Sequence, residues 1–442
     1  MKLFPQRISS HLLNSGSKAA TLLSFLSIMA ISTSVLAADF SVTGESSTIL
    51  RFRTTVDSKD LYPAYEYLKL NTSGKLSDGS TLGLYFGGWG RVDLGDRSTD
   101  KYSETDLQYL YASYRLANNN TSVNIGRQFV TEGVAAEKID GLYVRGDLIA
   151  GLSAAAFVGK AVTTETDLQG GKAIYGTRVS LSNPNIYSIG LSALKSESSQ
   201  NARYREEEGF DIWLHPVKNI ELTGRSSYNS ITSNWMEHSY TLSATPLKNL
   251  NISTSLNSIN YTDYFYHMTT NALSLNNGFI QPGETMNALG VAASYNLPKN
   301  LTLSADYKRY SYDIAGDADY YGINCKYSSP EIVTAGFGMH RMDGSTPRLR
   351  YLETRLYALK KIGAFDISAD LFNIDFDNKI SGVKDSFSLT GSGGYELNKQ
   401  LKLAANVEYS RSPDFDREVK ALVKLTYLFD TNIGQGGNKS EK

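Results

Sequence analysis

The 442 residues carry 44 Lys and Arg against 45 Asp and Glu, a net charge of −1, and so lack the basic surplus with which nucleic-acid binders neutralise phosphates. The single cysteine, Cys325, excludes an internal disulfide, and one thiol cannot form a CxxCH haem-attachment motif, so the chain carries no c-type haem of its own, and no cofactor is expected. Beyond residue 40 no apolar run reaches the roughly 18 residues of a membrane helix, so any membrane crossing there must use strands.

The first 37 residues read as a secretory signal. Lys2, Arg7 and Lys18 precede an apolar run from Ala19 to Ala30, and Val35-Leu36-Ala37 offers a small-x-small cleavage site. Removing 1–37 leaves 41 basic against 45 acidic residues, a mildly acidic mature chain. The first strand pattern starts within a few residues of that site, which leads to an expectation of no plug domain ahead of the barrel.

From Phe40 to Phe429 apolar and polar residues alternate with period two in stretches of about nine to thirteen residues, the length that a tilted strand needs to cross a bilayer. Ten connections are short and rich in Pro, Asn and Lys, as at Pro184, Pro216, Pro246, Pro298, Pro330 and Asn398; they centre near 75, 118, 150, 184, 217, 248, 299, 329, 362 and 399. Eleven connections that are mostly longer and more polar lie near 57, 97, 134, 166, 201, 232, 272, 315, 345, 381 and 413. The spacing predicts an all-β fold, a transmembrane antiparallel up-and-down β-barrel of about 22 strands, or 20 if two boundaries merge. Both termini should be periplasmic, and residues 430–442 should form a short tail.

A soluble all-β protein would bury its apolar faces under a second layer, yet helix-period segments able to supply one are hard to find, and no propeller-like repeat of 40 to 50 residues occurs. The apolar faces therefore meet lipid. Tyrosine supports this, because 29 Tyr and 3 Trp exceed what such a core requires and suit the water–lipid boundary. Tyr114, Tyr295, Tyr395 and Tyr427 are expected in one belt, with Trp235 and Tyr312 in the other.

Alternation turns a mixed set of charges inward. Arg51, Arg53, Arg178, Asp211, Arg225, Asp306, Lys308, Glu353, Arg355, Asp370, Glu408 and Lys424 are the candidate channel-lining residues, and bases and acids nearly balance. Strands about 4.8 Å apart and tilted near 40° imply a backbone diameter of roughly 40 to 45 Å, wide enough to leak unless something narrows it. The loop from Tyr261 to Gly283 is a candidate constriction through Tyr264, Tyr266 and His267, with an ordinary surface loop as the alternative. The histidines show no metal-ligand spacing, and His238-Ser239 places neighbours on opposite strand faces, so no catalytic or metal site is expected.

The stretch Gly126-Arg127-Gln128, then Glu137, then Asp140-Gly141-Leu142 and Arg145 resembles a pattern of porin-like outer-membrane channels, and the ending Tyr427-x-Phe429 resembles their aromatic assembly signal, although thirteen residues follow it here. The chain is also similar to barrels of metal-respiring Gram-negative bacteria, some of which sheath multihaem cytochromes. The resemblance implies an outer-membrane location and lipid, small hydrophilic solutes and the barrel-assembly machinery as partners. Its leading functional implication is a diffusion channel. The alternative is a sheath around a multihaem c-type cytochrome in an electron conduit.

Overall fold

The structure is a computed structural model that describes residues 40–54, 59–97, 99, 101–117, 120–162, 173–197, 205–264, 283–329, 331–413 and 415–433. The signal sequence expected at 1–37 lies outside these residues.

Among the described residues the strands are β1 Phe40–Thr54, β2 Asp60–Leu61, β3 Pro63–Lys75, β4 Thr81–Asp93, β5 Ser103–Arg115, β6 Ser122–Glu132, β7 Ala135–Asp147 and β8 Leu152–Ala161. The series continues as β9 Ile174–Asn183, β10 Tyr187–Ser196, β11 Arg205–Val217, β12 Ile220–Asn229, β13 Asn234–Leu247, β14 Leu250–Asn260, β15 Thr285–Leu297 and β16 Leu301–Tyr312. It ends with β17 Ala318–Ser329, β18 Val333–Gly344, β19 Arg350–Ile362, β20 Phe365–Ile380, β21 Val383–Glu396, β22 Leu401–Ser412 and β23 Phe415–Ile433. The two-residue β2 only extends the ladder between β1 and the chain leading into β3, so 22 strands build the wall.

Each strand pairs antiparallel with its neighbour, and β1 closes the sheet by pairing with β3 on one side and β23 on the other. Closure satisfies the backbone groups that an open edge would strand in lipid. The short connections fall at one end of the barrel and the longer set at the other, as their spacing in the sequence predicts. Phe40 pairs with Ile433, so the first and last described residues share the short-turn end. β23 runs past Phe429, with Asp430–Ile433 paired to Phe40–Thr43, so the ladder takes in the first four residues of the expected tail. Residues 434–442 lie outside the described set.

The alternation has the physical meaning expected of a membrane wall. Leu191, Leu289, Leu356 and Val407 stand 63%, 57%, 52% and 54% exposed on the outer face, an arrangement stable only against hydrocarbon. Tyr295, Tyr395, Tyr427 and Trp235 join them outside. Tyr312 does not: the register Met286↔Tyr312 and Ala288↔Tyr310 turns it inward, stacked on Tyr310 at 6.1 Å. Near a strand end a tyrosine suits either face, and its partner strand decides.

Candidate functional site: a hairpin folded into the lumen

Among the described residues the wall opens where β5 meets β6. β5 pairs with β6 only from Arg115↔Ser122 to Leu110↔Arg127, whereas β6 stays paired with β7 as far as Glu132↔Ala135. The tip of the β6–β7 hairpin therefore leaves the wall at Gly126. That residue has φ +125°, and a Cβ there would lie 2.3 Å from the Leu110 carbonyl oxygen, so a side chain is excluded on two grounds. Arg127 secures the exit: its Nε and Nη2 donate to the Asp140 carboxylate at 2.7 and 2.8 Å, and its Nη1 donates to the Leu107 carbonyl at 3.1 Å, on the edge that β5 leaves open. The Gly-Arg-Gln and Asp-Gly-Leu stretches thus form the base of this bend.

The tip lies against the lumen face of the neighbouring strands. Val130, Ala135 and Ile139 of the hairpin bury themselves with Phe157, Ala161, Ile174 and Leu194 of β8, β9 and β10. Full burial of a side chain such as Ile139 contributes roughly 1.5–3 kcal/mol. At the tip, Gly133 (φ +59°) comes so close to Ser192 that an added Cβ would sit 2.1 Å from its Oγ, and the Val134 N–H donates to that Oγ at 3.1 Å.

Ion pairs flank this apolar contact. Arg205 of β11 donates to Glu137 of the hairpin at 2.5 Å and to Glu207 at 2.6 Å, and these three side chains are 8%, 6% and 8% exposed. Arg178 lies 2.6 Å from Asp211 and 3.7 Å from Glu132. Glu132 also accepts from the Tyr143 hydroxyl at 2.6 Å and from Arg145 at 3.3 Å. On the opposite side of the hairpin, Lys138 reaches Asp106 of β5 at 3.5 Å. Between tip and wall a cavity of about 400 Å³ is lined by Glu132, Arg178, Arg205, Arg225, Glu237 and Tyr264, among others. Its mixed charges can hydrogen-bond a small polar solute without a strong preference for either sign.

The register places all twelve sequence-derived lining candidates on the lumen face. Arg51 covers the Tyr65 ring at 4.9 Å and Arg53 pairs with Glu418. Arg225 meets Glu237 at 3.0 Å, Asp306 meets His340 at 3.0 Å, and Lys308 lies opposite Gly290. Glu353 accepts from Tyr320 at 3.4 Å and Arg355 pairs with Asp370 at 2.6 Å. Glu408 faces Lys420 at 3.9 Å, and Lys424 faces Glu45 at 3.9 Å. These residues ring the lumen; only Arg178, Asp211 and Arg225 gather at the hairpin cavity, joined there by Tyr264.

Among the described residues the narrowing comes from the hairpin, with Tyr264 of the loop from Tyr261 to Gly283 lining the same cavity; residues 265–282 of that loop lie outside the described residues. Tyr264 alone of that loop's candidates is described, since Tyr266 and His267 lie outside the described residues. Sequence reasoning missed Glu132, Arg205 and Glu207, and gave Glu137 and Arg145 only as part of a resemblance with no role at the site. The available signal was the apolar series Val130, Val134 and Ile139 in a connection that should have been polar.

Fold and site together define a class, a closed antiparallel β-barrel of 22 wall strands with an apolar outer face and a lumen narrowed by its own hairpin. No family model matches the chain, and no curated protein matches it either. Among solved structures, the chain is similar to a point mutant of the ferric enterobactin receptor PfeA of Pseudomonas aeruginosa, at 10% identity over 89% of this chain and 81% of that chain with a TM-score of 0.52. It also matches OccAB4 of Acinetobacter baumannii, at 9% identity over 89% of this chain and 98% of that one with a TM-score of 0.45. For OccK5 (OpdH) of Pseudomonas aeruginosa the identity is 12%, the coverage 89% and 98%, and the TM-score 0.41. At such identities the receptor's likeness establishes the barrel fold and nothing about cargo.

Proposed function

We propose that this barrel is a passive channel for small hydrophilic solutes, filtered where the β6–β7 hairpin narrows the lumen. The observation that carries the proposal is the hairpin itself, held inside by the Val130–Ile139 contact and by Arg205 between Glu137 and Glu207. Arg178, Asp211 and Arg225 act at the narrowing. Arg51, Arg53, Asp306, Lys308, Glu353, Arg355, Asp370, Glu408 and Lys424 line the wider wall, where opposite charges alternate and charge selectivity is weak.

The short-turn end faces the periplasm in this reading, the segment 1–37 directs export, and the barrel-assembly machinery inserts the chain. The role is transport without catalysis. The inner wall that a cytochrome in a sheath would need is partly covered by the hairpin, which speaks against that alternative. Single-channel recording in planar bilayers tests the proposal. Stable open steps are expected, growing several-fold when residues 131–136 are deleted. Inserted protein that stays closed in the absence of a partner would overturn it.

A further inference from the structure

The lumen face of β3, β4 and β5 carries six aromatic residues that neither the hairpin packing nor the ion-pair network uses. Tyr65 and Tyr67 stack at 6.0 Å, and Trp89 lies 6.0 and 6.4 Å from them. Further along, Tyr85 stacks on Tyr111 at 4.9 Å, and Tyr109 lies 6.1 Å from Tyr111. The register puts all six on the side away from lipid, opposite Ser47, Ile49 and Asn71. All are partly exposed. The other inward tyrosines behave differently: Tyr310, Tyr320 and Tyr351 pack around Ala318, Met342 and Leu349.

Glycines set the orientation of these rings. A Cβ at Gly87 would lie 2.3 Å from the Tyr109 ring, and one at Gly83 would lie 2.8 Å from the Tyr85 ring, so both rings lie down on backbone that has no side chain. The Tyr109 ring, flattened on the wall, offers its other face to the lumen, while Tyr85 is stacked on Tyr111. From Tyr65 to Asn71, the partner of Tyr85, is six residues of strand, roughly 20 Å at about 3.3 Å per residue, which is longer than one sugar ring.

We propose that this face is a stacking track for sugar rings, so that the channel carries neutral oligosaccharides. The inference rests on the channel reading above and names its substrate class. The apolar C–H face of a pyranose suits an aromatic face, while its hydroxyl rim needs donors and acceptors together. These stand beside the track as compensated pairs, Lys69 with Glu45 at 3.8 Å and Lys138 with Asp106 at 3.5 Å, with Asn71 between strands. Apart from Arg51, which covers the Tyr65 ring at 4.9 Å, the charge beside the track is compensated, and compensated charge favours an uncharged polyol over an organic ion. A row of weak sites also meets the need of a conduit, binding enough for solute to enter and too little to hold it. The Lys138–Asp106 pair joins the hairpin to β5 three residues from Tyr109, so solute passing the narrowing runs along the rings.

The test uses the full barrel in planar bilayers with maltotriose and sodium benzoate as probes, and calorimetric titration of maltotriose into the detergent-solubilised protein. Maltotriose should interrupt the current reversibly, with an apparent affinity about five- to tenfold lower in Trp89→Ala and in Tyr109→Ala. Gly87→Ala should act in the same direction by lifting Tyr109, and Tyr295→Ala on the lipid face should leave the block unchanged. An open channel that maltotriose does not block, or a block indifferent to the ring variants, would overturn the track. Block by benzoate alone would assign the rings to planar acids and overturn the sugar proposal. Calorimetric binding that is lost in Trp89→Ala, from protein that never conducts, would keep the track and overturn the channel reading instead.

Discussion

Two sectors of one wall use the same alternation to opposite ends. From β7 to β11 the inward residues include Phe157, Ile174 and Leu194, and the hairpin covers them, leaving Arg205, Glu137 and Glu207 almost dry. From β19 to β23 and into β1 the inward residues include charges left in water, such as Arg355 and Asp370 at 54% and 36% exposure. A period-two pattern therefore specifies which residues face the lumen and leaves open whether the lumen at that point is wet. The difference also sorts the energetics. A buried ion pair is costly to break because the survivor has no water to turn to, whereas an exposed pair contributes about 0–1 kcal/mol.

The sharpest way to break the contrast is Arg205→Ala. Two carboxylates would remain buried with no cation between them, a loss of about 3–5 kcal/mol that falls on hairpin docking and leaves the strand ladder intact. The expected result is larger, noisier single-channel steps and protease cleavage near Gly133 in protein reconstituted in vesicles. Unchanged conductance would show that the hairpin is held without this triad. Ile139→Ala should follow at roughly 2–4 kcal/mol, since Ile139 is fully buried and its removal leaves a cavity in the contact. The same recording should show an intermediate phenotype.

The sequence disclosed the wall almost completely because each signal for it is local. Period-two runs, the Pro, Asn and Lys turns, and the even count place the 22 wall strands and all ten short turns. The hairpin was hidden because its position depends on Val130 and Ile139 meeting Phe157 and Ile174 on strands further along, a pairing that no window of one strand contains. The motif at its base was visible as a resemblance, but its mechanical role appears only when Gly126, Arg127 and Asp140 are seen together. Tyr312 failed for a related reason, since adjacency to a loop does not choose a face. The candidate lining charges share one face of the strands, while their partners across strands, such as Glu353 with Tyr320 or Asp306 with His340, needed the register.

Selectivity sharpens the comparison at smaller energies. Arg178→Gln removes the cation that Asp211 and Glu132 share at the narrowing, so Asp211 loses its pair and Glu132 keeps only Arg145 of its two cations. Reversal potentials across a salt gradient should move toward cation preference, and the shift should shrink at high salt as screening grows.

Arg355→Ala on the open sector should do least. Its pair with Asp370 is bidentate, at 3.2 and 2.6 Å, but water reaches both partners, so Asp370 is simply rehydrated when Arg355 is lost. Unfolding in urea should change by less than about 1 kcal/mol, and the conductance should stay near that of the parent protein. A loss as large as that of Arg205→Ala would mean that the open sector is also covered in the membrane. The wet and dry halves of the lumen would then cease to be distinct, and the hairpin would lose its claim to be the filter.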